Sequence, residues 1–315
     1  MSAKLAVIAI GGNALSPDVE HLAIAKQYER AKETAVHIAS LMLDGWNVLL
    51  SHGNGPQVGL IMRRSELSTP EVPPIPMDIA GADTQGAVGY MLCKALRNEF
   101  QRRGIARQPV AIVTQILVNR NDPAFAAPTK PIGGWFSKEE ADRLARELGW
   151  SVVEDSGRGW RRVVASPEPV RIIEEEPILH MLQAGMSVVA LGGGGIPVVQ
   201  NEEGDFEGVE AVVDKDASAA LLASRLKADM LVLPTAVEKV AIRFGKPDQQ
   251  WLDSLTVAQA EEYLAAGEFP AGSMGPKVRA LVSFVKATGG TGLITTPEKL
   301  REAVAGKTGT HIRKR

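Results

Sequence analysis

Residues 47–59 read NVLLSHGNGPQVG: an apolar run, then two glycines around an asparagine, then a proline. A short run without polar alternation fits a strand buried on both faces, as in a parallel sheet. The glycines let the backbone approach a ligand closely, and bare amides following a strand suit an anion. A P-loop would continue with Lys-Ser or Lys-Thr, and neither follows here. The stretch therefore offers amides without positive charge, and the charge has to come from elsewhere.

Working outward, the same pattern of an apolar run ending in glycine or polar residues recurs at 5–10, 110–118, 187–191, 230–234 and 293–295. Each is read as one buried strand. Helical patterns lie between them. Val88, Met91, Leu92, Ala95, Leu96 and Phe100 share one face of a helix over 83–103, which Gly104 can end. Ala31, Ala35, Ile38 and Met42 do the same before Gly45. This alternation predicts a doubly wound α/β fold with ligands at the C-terminal ends of the strands. Residues 119–170 break the rhythm with five prolines and a cluster of Arg158, Arg161 and Arg162 around one amphipathic helix, 138–148. They read as an inserted subdomain carried on the sheet, in the manner of a lid. The 315 residues are read as one unit, with an N-terminal half to about 205 and a C-terminal half from about 206.

A net charge of −2 provides no electrostatic footprint for nucleic acid or an anionic membrane. The basic ending, His311 to Arg315, reads as a short solvated tail. The single cysteine, Cys93, excludes an internal disulfide and a cysteine metal cluster, and its apolar helical face predicts burial. No apolar stretch is long enough to span a bilayer, and no signal-peptide pattern precedes the first strand. The expectation is a soluble cytoplasmic protein.

Three glycine-rich loops follow strands: Gly11-Gly12-Asn13, Gly53-Asn54-Gly55 and the four glycines at 192–195. Each alone is as consistent with an ordinary turn; together they would line one edge of the sheet with donors. Lys215 and Asp216 follow Asp214, which suits an N-cap for a helix ending near Leu226. Lys277 follows Pro276, which suits the first position of another helix. A lysine in a first helical turn opposes the macrodipole by about 0.3–1 kcal/mol. That placement makes sense opposite a bound anion, although a solvated lysine and a merely capping Asp216 remain the plain alternatives. Lys130 stands between prolines in PTKPIGG, which restrict its backbone. His52, without a sequence partner, reads as structural. There is no HExxH or other metal-ligand spacing, no GxSxG elbow and no GxGxxG fingerprint. Converging lysines with strand-end amides suit phosphoryl transfer, which needs positioning and charge neutralisation more than a covalent nucleophile.

The motifs AIGGNAL, SHGNGPQVG, TQGAVGY, PTKPIG, EDSGRGWRRVVASPEP, GGGGIPVV, VDKDAS and GSMGPK run nearly end to end. In them the chain resembles the carbamate kinases of the amino-acid kinase fold family. The resemblance implies an open, mainly parallel eight-stranded sheet between helices, a protruding subdomain and a homodimer. It implies the reaction ATP + carbamate ⇌ ADP + carbamoyl phosphate with Mg²⁺, run toward ATP in arginine or related ureido catabolism. It assigns Lys215 and Lys277 to the transferring phosphoryl group, Asp216 to organising them, and Lys130 to the carbamoyl phosphate end. Gly11, Gly12, Asn13, Gly53, Asn54 and Gly55 would bind phosphate and carbamate; Thr235, Ala236, Val237 and Met274 would meet the nucleotide. No residue is assigned to the metal. Glu238, Lys239 and Gly275 depart from the residues common in the family. Another small-acid kinase of this fold, such as an acetylglutamate kinase, and a non-catalytic nucleotide-binding regulator are the alternatives. The insertion motifs oppose the first and the intact lysines oppose the second.

Overall fold

Apolar strands without polar alternation have to be covered on both faces, and here helices do so. The computed structural model describes residues 4–16, 19–69, 71–155, 159–270 and 272–315. Its eight-stranded sheet has the order Ser254–Thr256, Thr310–Arg313, Thr291–Thr295, Met230–Pro234, Leu5–Ile10, Asn47–His52, Ser187–Val189, Pro109–Ala111. Only the Thr310–Arg313 and Thr291–Thr295 neighbours are antiparallel, so the first two strands run against the other six. Along the first strand Val7 and Ala9 face one apolar cluster, while Ala6, Ile8 and Ile10 face another. The first cluster includes Ala219 and Leu222 of helix Lys215–Arg225 and Leu281 and Phe284 of helix Met274–Thr288. The second includes Ile38 of helix Ile24–Leu43 and Leu92, Leu96 and Phe100 of helix Met77–Arg103, whose end is turned by the left-handed Gly104. The expected α/β sandwich with a mainly parallel eight-stranded sheet is therefore what the chain forms.

Three expectations need correction. The apolar run at 110–118 is not one strand. Pro109–Ala111 completes the large sheet, whereas Gln115–Val118 joins a second sheet between Ile196–Gln200 and Pro169–Ile172, with Phe206–Gly208 outside. Side chains take over from the ladder at the break. The buried Gln85 accepts from Thr114 N at 2.7 Å and donates to Thr114 O and Gly192 O at 3.0 and 2.9 Å. The basic ending is not a solvated tail either. Thr310, His311 and Ile312 are buried in a strand paired on both sides, because Ile312 belongs to the core cluster. Only from Arg313 onward is the ending exposed.

The third correction concerns the insertion. Strands Lys130–Phe136, Trp160–Val164 and Ser151–Glu154 form a separate antiparallel sheet backed by helix Lys138–Leu148. Ser137 caps that helix by accepting from Glu140 N, and Gly149 ends it in the left-handed region. The flanks of 119–170 belong elsewhere, since Pro169–Ile172 pairs with Gln115–Val118 of the second sheet. Arg161 and Arg162 lie within the lobe's strand; Arg158 lies outside the described residues.

Gln85 provides a test of how the break at Thr114 is held. In Gln85→Leu the buried Thr114 amide loses its partner, at about 1–3 kcal/mol, while Thr114 O and Gly192 O each lose one of two donors and keep Ile196 N and Gly195 N. Urea unfolding of the variant should show a loss of about 1–3 kcal/mol at an unchanged m-value. A loss below about 1 kcal/mol would mean that the backbone turn does not depend on this side chain.

Candidate active site

The order of the large sheet changes direction between Leu5–Ile10 and Met230–Pro234, and a cleft of about 750 Å³ opens over their C-terminal ends. That is where an open α/β sheet presents a ligand site. Gly11 and Gly12 line it after the first strand, Gly53, Asn54 and Gly55 after the second, and Thr235 and Ala236 after Met230–Pro234. Gly193 represents the third glycine loop, and Lys130 reaches in from the lobe. Two of the residues expected at the nucleotide are not on the wall. Met274 packs against the apolar core and Val237 stands outside the cleft, while Gly272, Ser273 and Pro276 line it instead. The physical reason for Met274 is its helix, which turns that side chain toward the core. Asn13 belongs to the short helix Gly12–Leu15, and its side chain lies outside the described residues.

The first two glycine loops touch. A Cβ on Gly53 would lie 2.6 Å from Gly12 N, and Gly53 N donates to Ile10 O at 2.8 Å. A larger residue at 53 would separate the loops, which accounts for glycine there. His52 is buried beneath them, its Nδ1 3.1 Å from Gly53 O and its Nε2 against Gly192. Burial holds its pKa down at about 4, so the ring is neutral and structural, as expected. Cys93 is half-buried against the second cluster, and burial raises its thiol to about 11.

The charge missing from the glycine loops arrives on three elements. Asp214 caps helix Lys215–Arg225, accepting from Asp216 N at 2.9 Å and Ala217 N at 3.3 Å. The cap presents Lys215 and Asp216 in the first turn. Lys277 comes from helix Met274–Thr288, which begins two residues earlier than Pro276 suggested, so the proline is its third residue. Asp216, 4% exposed, receives both ammonium groups: Lys277 Nζ stands 2.8 Å from Oδ2, and Lys215 Nζ bonds Oδ1. Burial opposes the Asp216 charge, but the two lysines overcome it and hold the pKa at about 2. Burial, then the neighbouring Lys215, lowers the Lys277 pKa. Across the cleft, Lys130 Nζ lies 2.9 Å from Asp214 Oδ2. Burial opposes that carboxylate too, and Lys130 foremost among the charges outweighs it, leaving its pKa lowered.

The structure thus brings Lys130, Lys215, Asp216 and Lys277 to one cleft with the Gly12 and Gly53 loops. Such an arrangement neutralises two anions held close together. The second role of Asp214, as the partner of Lys130, is not legible from its capping position. Arg30 and Glu298 also line the cleft and were not anticipated. Arg30 sits on a long amphipathic helix, bonding Ala14 O at 3.1 Å, and in sequence looks like any surface charge. Of the family departures, Glu238 bonds Thr308 and Lys239 pairs with Asp253 at 2.6 Å. Gly275 is buried, with Pro270 O 3.2 Å from where its Cβ would be.

The amino acid kinase family model matches residues 4–296. The carbamate kinase-like protein YahI of Escherichia coli K12 is 48% identical over 312 residues, 98% of each chain. The carbamate kinase of Thermococcus kodakarensis is 45% identical over 312 residues, covering 98% of this chain and 99% of its own. Among solved structures, carbamate kinase from Giardia lamblia bound to AMP-PNP superposes with a TM-score of 0.93 at 38% identity, covering 99% of both chains.

The Asp216 centre has a signature in acid. Its pKa falls from 3.8 to about 2 on folding, so its contribution is complete above pH 3.8 and disappears as pH falls through 2. The stability difference between the protein and Asp216→Asn, from urea unfolding between pH 2 and 7, should be flat above about pH 5 and shrink below about pH 4. A difference that stays constant down to pH 2 would show that the carboxylate is not held by the lysines.

Proposed function

The chain belongs to the amino acid kinase family, and from the carbamate kinases it matches end to end we propose that it moves a phosphoryl group reversibly between ATP and carbamate. The products are ADP and carbamoyl phosphate. The observation that carries the reading to the site is the pair Lys215 and Lys277 held on one buried carboxylate, with Lys130 facing them from the lobe.

In this reading a carbamate oxygen attacks the γ-phosphorus in line while the bond to the ADP oxygen breaks. The nucleophile is already an anion, so no general base is required. The site has to bring two anions together and shield the equatorial oxygens as charge moves. Lys215 and Lys277 do the shielding, and Asp216 keeps both in place. The amides around Gly11, Gly12, Gly53 and Gly55 hold the phosphate and carbamate, and Lys130 closes the carbamoyl phosphate end. Thr235 and Ala236 meet the nucleotide. Magnesium would enter with the nucleotide as part of the substrate and would supply further neutralisation of phosphate charge. Of the carboxylates in the cleft, Asp214 partners Lys130 and Asp216 partners Lys277. The remaining parts of the proposal are a cytoplasmic homodimer working in arginine or ureido catabolism, in the direction of ATP.

Mixing the protein with ADP, Mg²⁺ and fresh carbamoyl phosphate should form ATP well above a protein-free blank. Folded protein at the blank rate would end the proposal. Lys215→Ala and Lys277→Ala should each lower turnover by roughly 10²–10³, the scale of one lost electrostatic donor. Lys130→Ala should weaken carbamoyl phosphate use strongly while leaving ADP binding within a few-fold in calorimetric titration. Loss of ADP affinity with an unchanged carbamoyl phosphate KM would put Lys130 at the other end of the site.

A further inference from the structure

Lys130 is carried on the lobe, and its position over the cleft depends on where the lobe rests. The lobe strand Lys130–Phe136 lies against helix Gly55–Ser68, the helix that begins at the second glycine loop. The contact is backbone to backbone. A Cβ placed on Gly59 would stand 2.7 Å from Gly133 Cα and 3.0 Å from Gly133 N. Gly133 has φ +67°, in the region that favours glycine, at a place where the pairing of Lys130–Phe136 with Trp160–Val164 shifts register. Its carbonyl is gripped from the other side by Arg161 Nη2 at 3.0 Å. A push at Gly133 is therefore passed to the lobe as a body. Three residues before it on the same strand is Lys130.

We infer that Gly59 and Gly133 form an abutment that sets the height of the lobe and so positions Lys130 over the cleft. Both are positioning residues, acting through Lys130 rather than on substrate. The inference rests on the functional reading above, and it explains why the segment at 51–59 ends in glycine far from its own anion-binding amides. A methyl group at 59 meets only backbone, which cannot rotate away as a side chain can. The lobe has to lift, and displacing a substrate-holding group by about 1 Å can cost 10²-fold in rate.

The test compares Gly59→Ala with Gly134→Ala, whose added methyl would meet nothing within 4 Å. Gly59→Ala should lower kcat/KM for carbamoyl phosphate about 10–100-fold with ADP affinity within about 3-fold by calorimetry, and Gly134→Ala should stay near the parent. In a Lys130→Ala background, Gly59→Ala should change the residual rate less than about 3-fold, because its effect passes through the missing lysine. Equal losses in both backgrounds, parallel loss of ADP affinity, or unchanged kinetics would overturn the inference. A crystal structure of Gly59→Ala is a readout independent of activity: Lys130 Nζ should be drawn more than about 4 Å from Asp214, and an intact ion pair overturns the abutment. If the parent makes no ATP, the functional reading fails while this structural measurement still decides the contact. Should Gly59→Ala not fold, Arg161→Lys removes the grip on Gly133 O while retaining a charge beside Asp155. It should show the same selective loss, and unchanged carbamoyl phosphate kinetics would count against the inference.

Discussion

Two ammonium groups aimed into one cleft repel each other, and both stand in the first turns of helices whose dipoles disfavour them. The Asp216 carboxylate, almost wholly buried between Lys215 and Lys277, makes that arrangement stable before any anion arrives. It works only if two helices whose lysines are 61 residues from that carboxylate, or next to it, keep their starts side by side. They do so because Ala219, Leu222, Leu281 and Phe284 share one apolar cluster beneath the sheet. The electrostatics of the site is thus anchored in hydrophobic packing. A cavity under those helices would reach the lysines even though it lies nowhere near substrate.

The cleft holds a second, looser pairing. Lys130 and Asp214 are each about one-third exposed, against 14% and 15% for Lys215 and Lys277. The solvent-screened pair is the one that crosses from the lobe to the sheet, and exposed pairs are weak. An incoming anion can therefore replace Asp214 as the partner of Lys130 at small cost. It cannot so easily displace Asp216 from the other two lysines. One half of the site is preset and the other half is exchangeable.

Much of this was legible because the deciding features are local. Unbroken apolar runs announce a double-sided sheet, and Asp214 before Lys215 announces a capped helix, whatever the rest of the chain does. The misreadings share the opposite cause. Residues 110–118 look continuous because every position tolerates a strand, and only a distant Gln85 side chain reveals the turn at Thr114. The basic ending looks solvated because its charges are visible, while the pairing that buries Ile312 comes from strands at 254 and 291. Met274 and Val237 lie within the right segments, yet helix phase and loop path decide which side chains face the cleft. Arg30 carried no local signal at all.

The sheet's central strand also has a kinetic meaning. Leu5–Ile10 pairs early with nothing but Asn47–His52; its other neighbour, Met230–Pro234, is synthesised more than two hundred residues later, and Leu5 N is bonded by Asp229 at a separation of 224 residues. Until that partner exists, the strand in the middle of the finished sheet is an exposed edge with an apolar face, the kind of surface that recruits the wrong chain. Contacts so distant in sequence close slowly, since loop entropy is lost before they form. The switch point that creates the cleft is thus also the seam where the nascent chain stays open longest, and assistance during synthesis would be most valuable there.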